Sequence, residues 1–173
     1  MSSIKFPALA GSTCIALALL LASCGEERPA HRFPMTEIAS AAGLEMKLTS
    51  GSRPVTQLLE VKGGAVALLD VDADGLLDVL VPNGATLEQP GHGPGARLFR
   101  NTTPPGGEPT FVDWTEQAGL AHRSWSFGVA VGDVNGDGQD DVFSACFGQD
   151  VLLLGTEDGG LRDASEAAGI QGP

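Results

Sequence analysis

From residue 64 onward the apolar residues fall in short runs cut by Gly, Asp, Asn and Pro, with no stretch of sustained 3.6-residue periodicity. Runs of this length, β-branched in places and bounded by turn residues, predict strands rather than helices. Four are expected near 65–70, 77–82, 97–101 and 110–114, and four more near 128–133, 141–147, 150–154 and 161–164. Between them, residues 84–96 (GATLEQPGHGPGA) are rich in Gly and Pro and read as a loop.

The pattern repeats. GAVALLDVDADGLLDVLVP (64–82) aligns with GVAVGDVNGDGQDDVFSA (128–145), without a gap from Ala67 and Val131. A second element, Phe111 to Leu120 (FVDWTEQAGL), recurs as Leu161 to Ile170 (LRDASEAAGI), and a third copy stands at Met35 to Leu44 (MTEIASAAGL). Each ends in Ala-Gly-Leu or Ala-Gly-Ile, the signature of a short helical turn stopped at glycine. Four-stranded units repeated at this spacing predict an all-β fold of propeller blades. Blade one is expected over about 64–120 and blade two over about 127–170, as about two blades of a larger, incomplete propeller. A solenoid is the architectural alternative, although its repeats are usually shorter.

Composition sharpens this picture in two respects. The 24 glycines of the 173 residues suit many tight turns, and the formal charge of −12 argues against nucleic acid as a partner, because phosphate attracts positive surface. The acidity is concentrated. Two loops, Asp70-Val-Asp72-Ala-Asp74-Gly-Leu76-Leu-Asp78 and Asp133-Val-Asn135-Gly-Asp137-Gly-Gln139-Asp-Asp141, share the pattern D-x-[DN]-x-D-G-x-x-D. Oxygen-bearing side chains at positions 1, 3, 5 and 9 can converge on one point, Gly75 and Gly138 allow the sharp turn, and the carbonyls of Leu76 and Gln139 can complete a shell. That donor set suits Ca²⁺ better than Zn²⁺ or Mg²⁺. An EF-hand is the rival reading. It needs a bidentate Glu at position 12 and flanking helices. Here position 12 is Val81 or Ser144, between strand-like flanks.

The first residues predict export. Lys5 precedes an unbroken apolar run, Ile15 to Ala22, too short for the ~20 residues that span a bilayer. Leu21-Ala22-Ser23-Cys24 resembles a bacterial lipobox, so residues 1–23 are expected to be a lipoprotein signal peptide and Cys24 the site of lipid attachment. Residues 24–34 read as a tether to the repeat region, 35–173. Two or three acyl chains would hold the protein to a membrane of the bacterial cell envelope. Cys14 leaves with the signal, so Cys146 is the one thiol left in the folded part. It lies in an apolar run and is expected as a small buried hydrophobe.

The strand, acidic loop and strand unit resembles the FG-GAP/VCBS repeat of integrin α-subunit propellers and bacterial surface proteins. The order EIASAAGL, LLEVKGGAVALLDVDADGLLDVLVPNG, RLFRN, FVDWTEQAGL and FGVAVGDVNGDGQDDVF is similar to the N-terminal part of ASPIC/UnbV, or cartilage-acidic-protein-like, propellers. The resemblance covers about residues 35–170. It implies a ring of about seven blades, structural calcium in the loops between the first two strands of each blade, and a role in adhesion or recognition of a protein or glycan ligand. The sequence is shorter than that family pattern, which makes a truncated propeller the expectation.

An enzyme finds little support. His31, His92 and His122 are scattered, no GxSxG elbow is present, and Cys146 has no evident base. The alternative function is an accessory module of a secreted carbohydrate- or lipid-active enzyme, with Trp114 and Trp125 as candidates for a sugar-binding groove. Two blades leave apolar outer faces, so self-association is also expected.

Overall fold

A computed structural model of the chain describes residues 35–61, 64–120 and 123–170. The signal peptide, the tether and Cys24 lie outside them, as does His122. Contacts divide the chain into residues 1–37 and 38–173, and the sheets belong to the second unit.

That unit holds eight strands: β1 (Ala67–Leu69), β2 (Asp78–Val81), β3 (Arg97–Asn101), β4 (Phe111–Asp113), β5 (Trp125–Gly132), β6 (Asp141–Phe147), β7 (Val151–Gly155) and β8 (Leu161–Asp163). They form two four-stranded antiparallel meanders, β1-β2-β3-β4 and β5-β6-β7-β8. Helix among the described residues is confined to one 3₁₀ turn, Leu58–Val61. None is long and apolar enough to cross a membrane. The all-β expectation holds, with one strand longer than expected. β5 starts at Trp125 rather than near 128, passing through a register shift between Ser126 and Gly128. Trp125 and Ser126 are buried, and the Ser126 N–H donates to the Asn83 carbonyl at 3.1 Å, which holds this early stretch in place.

One apolar core joins the sheets, and the repeat shows how. Matching strand registers make Val79 the counterpart of Val142, Leu80 of Phe143, Leu98 of Leu152, and Phe99 of Leu153. The core takes Ala67, Leu69, Leu80 and Leu98 from the first sheet, but Val142, Val151, Leu153 and Leu161 from the second. Side chains alternate between faces along a strand, so the two copies pack through opposite faces. The first sheet's inner face corresponds to the second sheet's outer one.

The recurring Ala-Gly-Leu/Ile elements have one hydrogen-bond pattern in all three places. Around Gly119, Ala118 N–H donates to Trp114 O (2.9 Å), Gly119 N–H to Glu116 O (3.1 Å) and Leu120 N–H to Thr115 O (3.1 Å). Residues 38–44 and 164–170 repeat it. This is a Schellman closure, and its glycines have the left-handed φ it requires: 86° at Gly43, 71° at Gly119 and 70° at Gly169. The turn then serves the next unit. The Ala118 carbonyl accepts from Leu161 N at 2.7 Å, tying the end of the first sheet to β8. The Ala42 carbonyl accepts from Phe111 N, also at 2.7 Å. Residues 38–44 thus stand to the first sheet as residues 114–120 stand to the second.

Candidate metal centre

Each acidic loop connects the first two strands of its sheet, and its aspartates do distinct jobs. Position 1 folds the loop. Asp70 accepts from Asp74 N (3.0 Å, Oδ1) and Gly75 N (2.9 Å, Oδ2). Asp133 accepts from Gly136 N (2.7 Å) and Asp137 N (3.2 Å) on Oδ1, and from Gly138 N (2.9 Å) on Oδ2. The bond from Gly138, followed by those from its neighbours, holds the Asp133 carboxyl below the usual carboxylate range.

Position 9 is a buried staple. Asp78, 1% exposed, accepts from Val71 N (2.9 Å) on one oxygen and Asn101 N (2.7 Å) on the other, joining loop to β3. Asp141, equally buried, accepts from Val134 N (2.8 Å) and Gly155 N (2.9 Å), joining the second loop to β7. Burial pushes the Asp78 carboxyl above its usual range despite these two bonds, and the nearby charges of Asp72 and Asp74 add to the rise.

Position 5 is exposed in both loops. Asp74 Oδ1 accepts from Leu76 N at 2.8 Å and Asp137 Oδ1 from Gln139 N at 2.9 Å. The backbone turns through positive φ at position 4, 55° at Ala73 and 80° at Gly136, and again at position 6, 86° at Gly75 and 85° at Gly138.

Position 3 separates the loops. Asn135 folds onto its own loop, accepting from Asp137 N (2.8 Å) and donating Nδ2 to Asp137 Oδ2 (2.8 Å). Asp72 instead forms an ion pair through Oδ2 with Nη2 of Arg100 on β3, and its Oδ1 is buried and accepts no hydrogen bond. Arg100 lies over the Trp114 ring, 5.1 Å from its centroid, within cation–π range.

Of the residues expected to hold metal, the structure brings Asp70, Asp72 and Asp78 together, each offering an oxygen within 4.8 Å of the others. Among the described residues no other set of three carboxylate, imidazole or thiol groups converges so closely. In the second loop Asn135 contributes an amide at that place, and Asp133, Asp137 and Asp141 form no such trio. Tight clustering of three carboxylates is costly without a compensating positive charge. The stranded Asp72 Oδ1 and an all-oxygen donor set fit a hard divalent cation in the first loop. Two contributors escaped the sequence reading. Arg100 sits in a strand 22 residues beyond Asp78, and only strand register reveals its reach. Asp140 accepts from Asp70 N at 2.9 Å and ties the two loops together across the sheets.

Residues 70–144 match the FG-GAP-like repeat family. The matched span opens on the first aspartate of the first loop, takes in the second loop whole, and ends within β6. The two meanders are thus what FG-GAP propeller blades look like, and a recognition or adhesion module is the class of role such repeats suggest. No curated protein matches the chain.

Cys146 is half-buried in a small polar nest. Its Sγ lies 3.3 Å from Ser126 Oγ, and Ser144 Oγ donates to Ser126 Oγ at 2.9 Å. Burial pushes the thiol above its usual range, the opposite of what a nucleophile needs.

Proposed function

We propose that this chain is a calcium-binding, lipid-anchored module of the bacterial cell envelope, non-catalytic, that serves adhesion or recognition through propeller blades similar to those of the ASPIC/UnbV family. The observation that carries the metal reading is the convergence of Asp70, Asp72 and Asp78 with Oδ1 of Asp72 lacking a hydrogen bond, in a loop whose pattern recurs in the second sheet. Asp70, Asp72, Asp74, the Leu76 carbonyl and Asp78 would hold one ion. Asp133, Asn135, Asp137, the Gln139 carbonyl and Asp141 would hold the other. The ion's role is structural: it would neutralise clustered carboxylates at the seam between the two sheets and fix the loops that join β1 to β2 and β5 to β6.

Membrane attachment rests on Cys24 and the apolar run before it. Its partner would be a protein or glycan rather than nucleic acid, given the acidic surface. Calorimetric titration of the full chain with calcium chloride, up to millimolar concentration, tests the reading together with melting curves in calcium and in chelator. Extracellular modules often bind in the 10⁻⁴–10⁻³ M range, and an ion bound only by the folded state raises the melting temperature. Two binding events and a raised melting temperature are expected. Identical curves with no heat of binding would refute the calcium reading. Feeding cells a labelled fatty acid tests the anchor, with label expected on the wild type and none on Cys24→Ser.

A further inference from the structure

We infer that Arg100 is a tethered cation that already occupies part of the first loop and lowers that loop's affinity for calcium. This rests on the calcium reading of both loops. Its own basis is a difference between two copies of one repeat. In the first, Asp72 at position 3 is paired with the Arg100 guanidinium, which lies over Trp114. In the second, strand register makes Leu154 the counterpart of Arg100, and the repeat makes Ala164 the counterpart of Trp114. Position 3 there is the neutral Asn135. The charged residue, its cation and the ring beneath that cation are all replaced together.

The first loop places four carboxylates at positions 1, 3, 5 and 9, with Asp140 of the second loop accepting from Asp70 N beside them, and Arg100 offsets one of these charges. The second places three carboxylates at the matching positions with no arginine. In the first, a dication must either pull Asp72 away from the guanidinium or bind a few ångströms from a fixed positive charge. Arginine cannot relieve that conflict by losing a proton. Asp72 and Arg100 are both mostly shielded from water, with side chains 14% and 33% exposed, so their interaction is screened less than a surface pair. The free Oδ1 of Asp72 keeps the site usable, so the effect is weakening and not exclusion.

Calcium titration of the full chain by calorimetry, with single-loop variants, tests this. Asp137→Ala silences the second loop and reports the first; Asp74→Ala does the reverse. A unit charge at close range is worth about tenfold or more in affinity. On the Asp137→Ala background, Arg100→Leu and Arg100→Gln should raise the remaining affinity about tenfold, whereas Arg100→Lys leaves it low. An affinity unchanged or lowered in both neutral variants, with the circular dichroism of the wild type retained, overturns the inference while leaving the calcium reading intact. Absence of calcium binding in every variant defeats both readings.

Discussion

Replacing Asp141 by asparagine removes one charge and no volume, and it isolates what the position-9 aspartate does without any ion. Asp141 is 1% exposed, and its oxygens accept from Val134 N at 2.8 Å and Gly155 N at 2.9 Å. An asparagine keeps one acceptor oxygen but turns an NH₂ group toward the other N–H. One charge-assisted bond, worth about 1.5–3 kcal/mol, is lost, and a buried donor is stranded at about 1–3 kcal/mol. The relief of no longer burying a charge offsets part of this, so a net loss of about 3 kcal/mol is expected. Against a total stability of about 5–15 kcal/mol that is a large fraction, and it should lower the melting temperature by about 10 °C. The assay is thermal and urea denaturation in chelator, followed by near-ultraviolet circular dichroism of the buried Trp125. Asp137→Asn is the control: Asp137 is exposed and should cost under about 1 kcal/mol in chelator. A loss for Asp141→Asn no larger than the control's would refute the staple argument.

Five further outcomes follow from particular contacts and backbone angles. Buried Glu60 accepts from Ser52 N, Thr56 N, Thr56 Oγ1 and Gln57 N, and these bonds, led by that from Ser52, hold its carboxyl down at about 2 against an ordinary 4.5. Its stabilising contribution is therefore complete above pH 4.5 and lost as pH falls toward 2, so the stability gap between wild type and Glu60→Gln should close across that window in pH-dependent denaturation. Ala73 holds a φ of 55° where the second loop has Gly136, so Ala73→Gly should gain about 0.5–1 kcal/mol in urea melts. Gly136→Ala should lose a similar amount, purely through backbone strain because a Cβ there meets nothing within 4 Å. Cys146 should resist alkylation by iodoacetamide at pH 8 in the folded protein and react at once in urea, as a thiol raised by burial does. Sedimentation of the full chain should show association rising with concentration, because half-buried Phe143, Leu152 and Leu154 occupy the second sheet's outer face; a single monomeric boundary across the range would count against it.

The parts of the fold that were legible in the sequence are those fixed by local chemistry. The D-x-[DN]-x-D-G-x-x-D loops announce themselves because glycine and aspartate are demanded at set positions of a tight turn. The Ala-Gly-Leu/Ile turns do so because only glycine readily takes the φ that closes them. Strand positions followed, since each apolar run was bounded by such turns. What stayed hidden depends on register and on distant backbone. The early start of β5 is held by the Asn83 carbonyl, some forty residues upstream. Glu60 looks like any acid in LLEVKGG, because three of its four hydrogen bonds come from backbone N–H groups, which carry no sequence signal. Arg100 reaches Asp72 only once β2 and β3 are paired.

The same distinction explains why two copies of one repeat are not interchangeable. A repeat whose two copies pack together through opposite faces turns a different apolar surface to the shared core in each copy. In the first sheet Leu80 and Leu98 face the shared core; their counterparts Phe143 and Leu152 face away from it. Those positions are therefore free to drift apart between copies, while the turn glycines and the position-1 and position-9 aspartates are not, since each copy needs them for its own backbone. Position 3 falls on the free side of that line. Its contacts differ between the copies: one carries an aspartate paired with Arg100 of β3, the other an asparagine that accepts from Asp137 N of its own loop. Whatever differs in metal binding between the two loops should be sought there first.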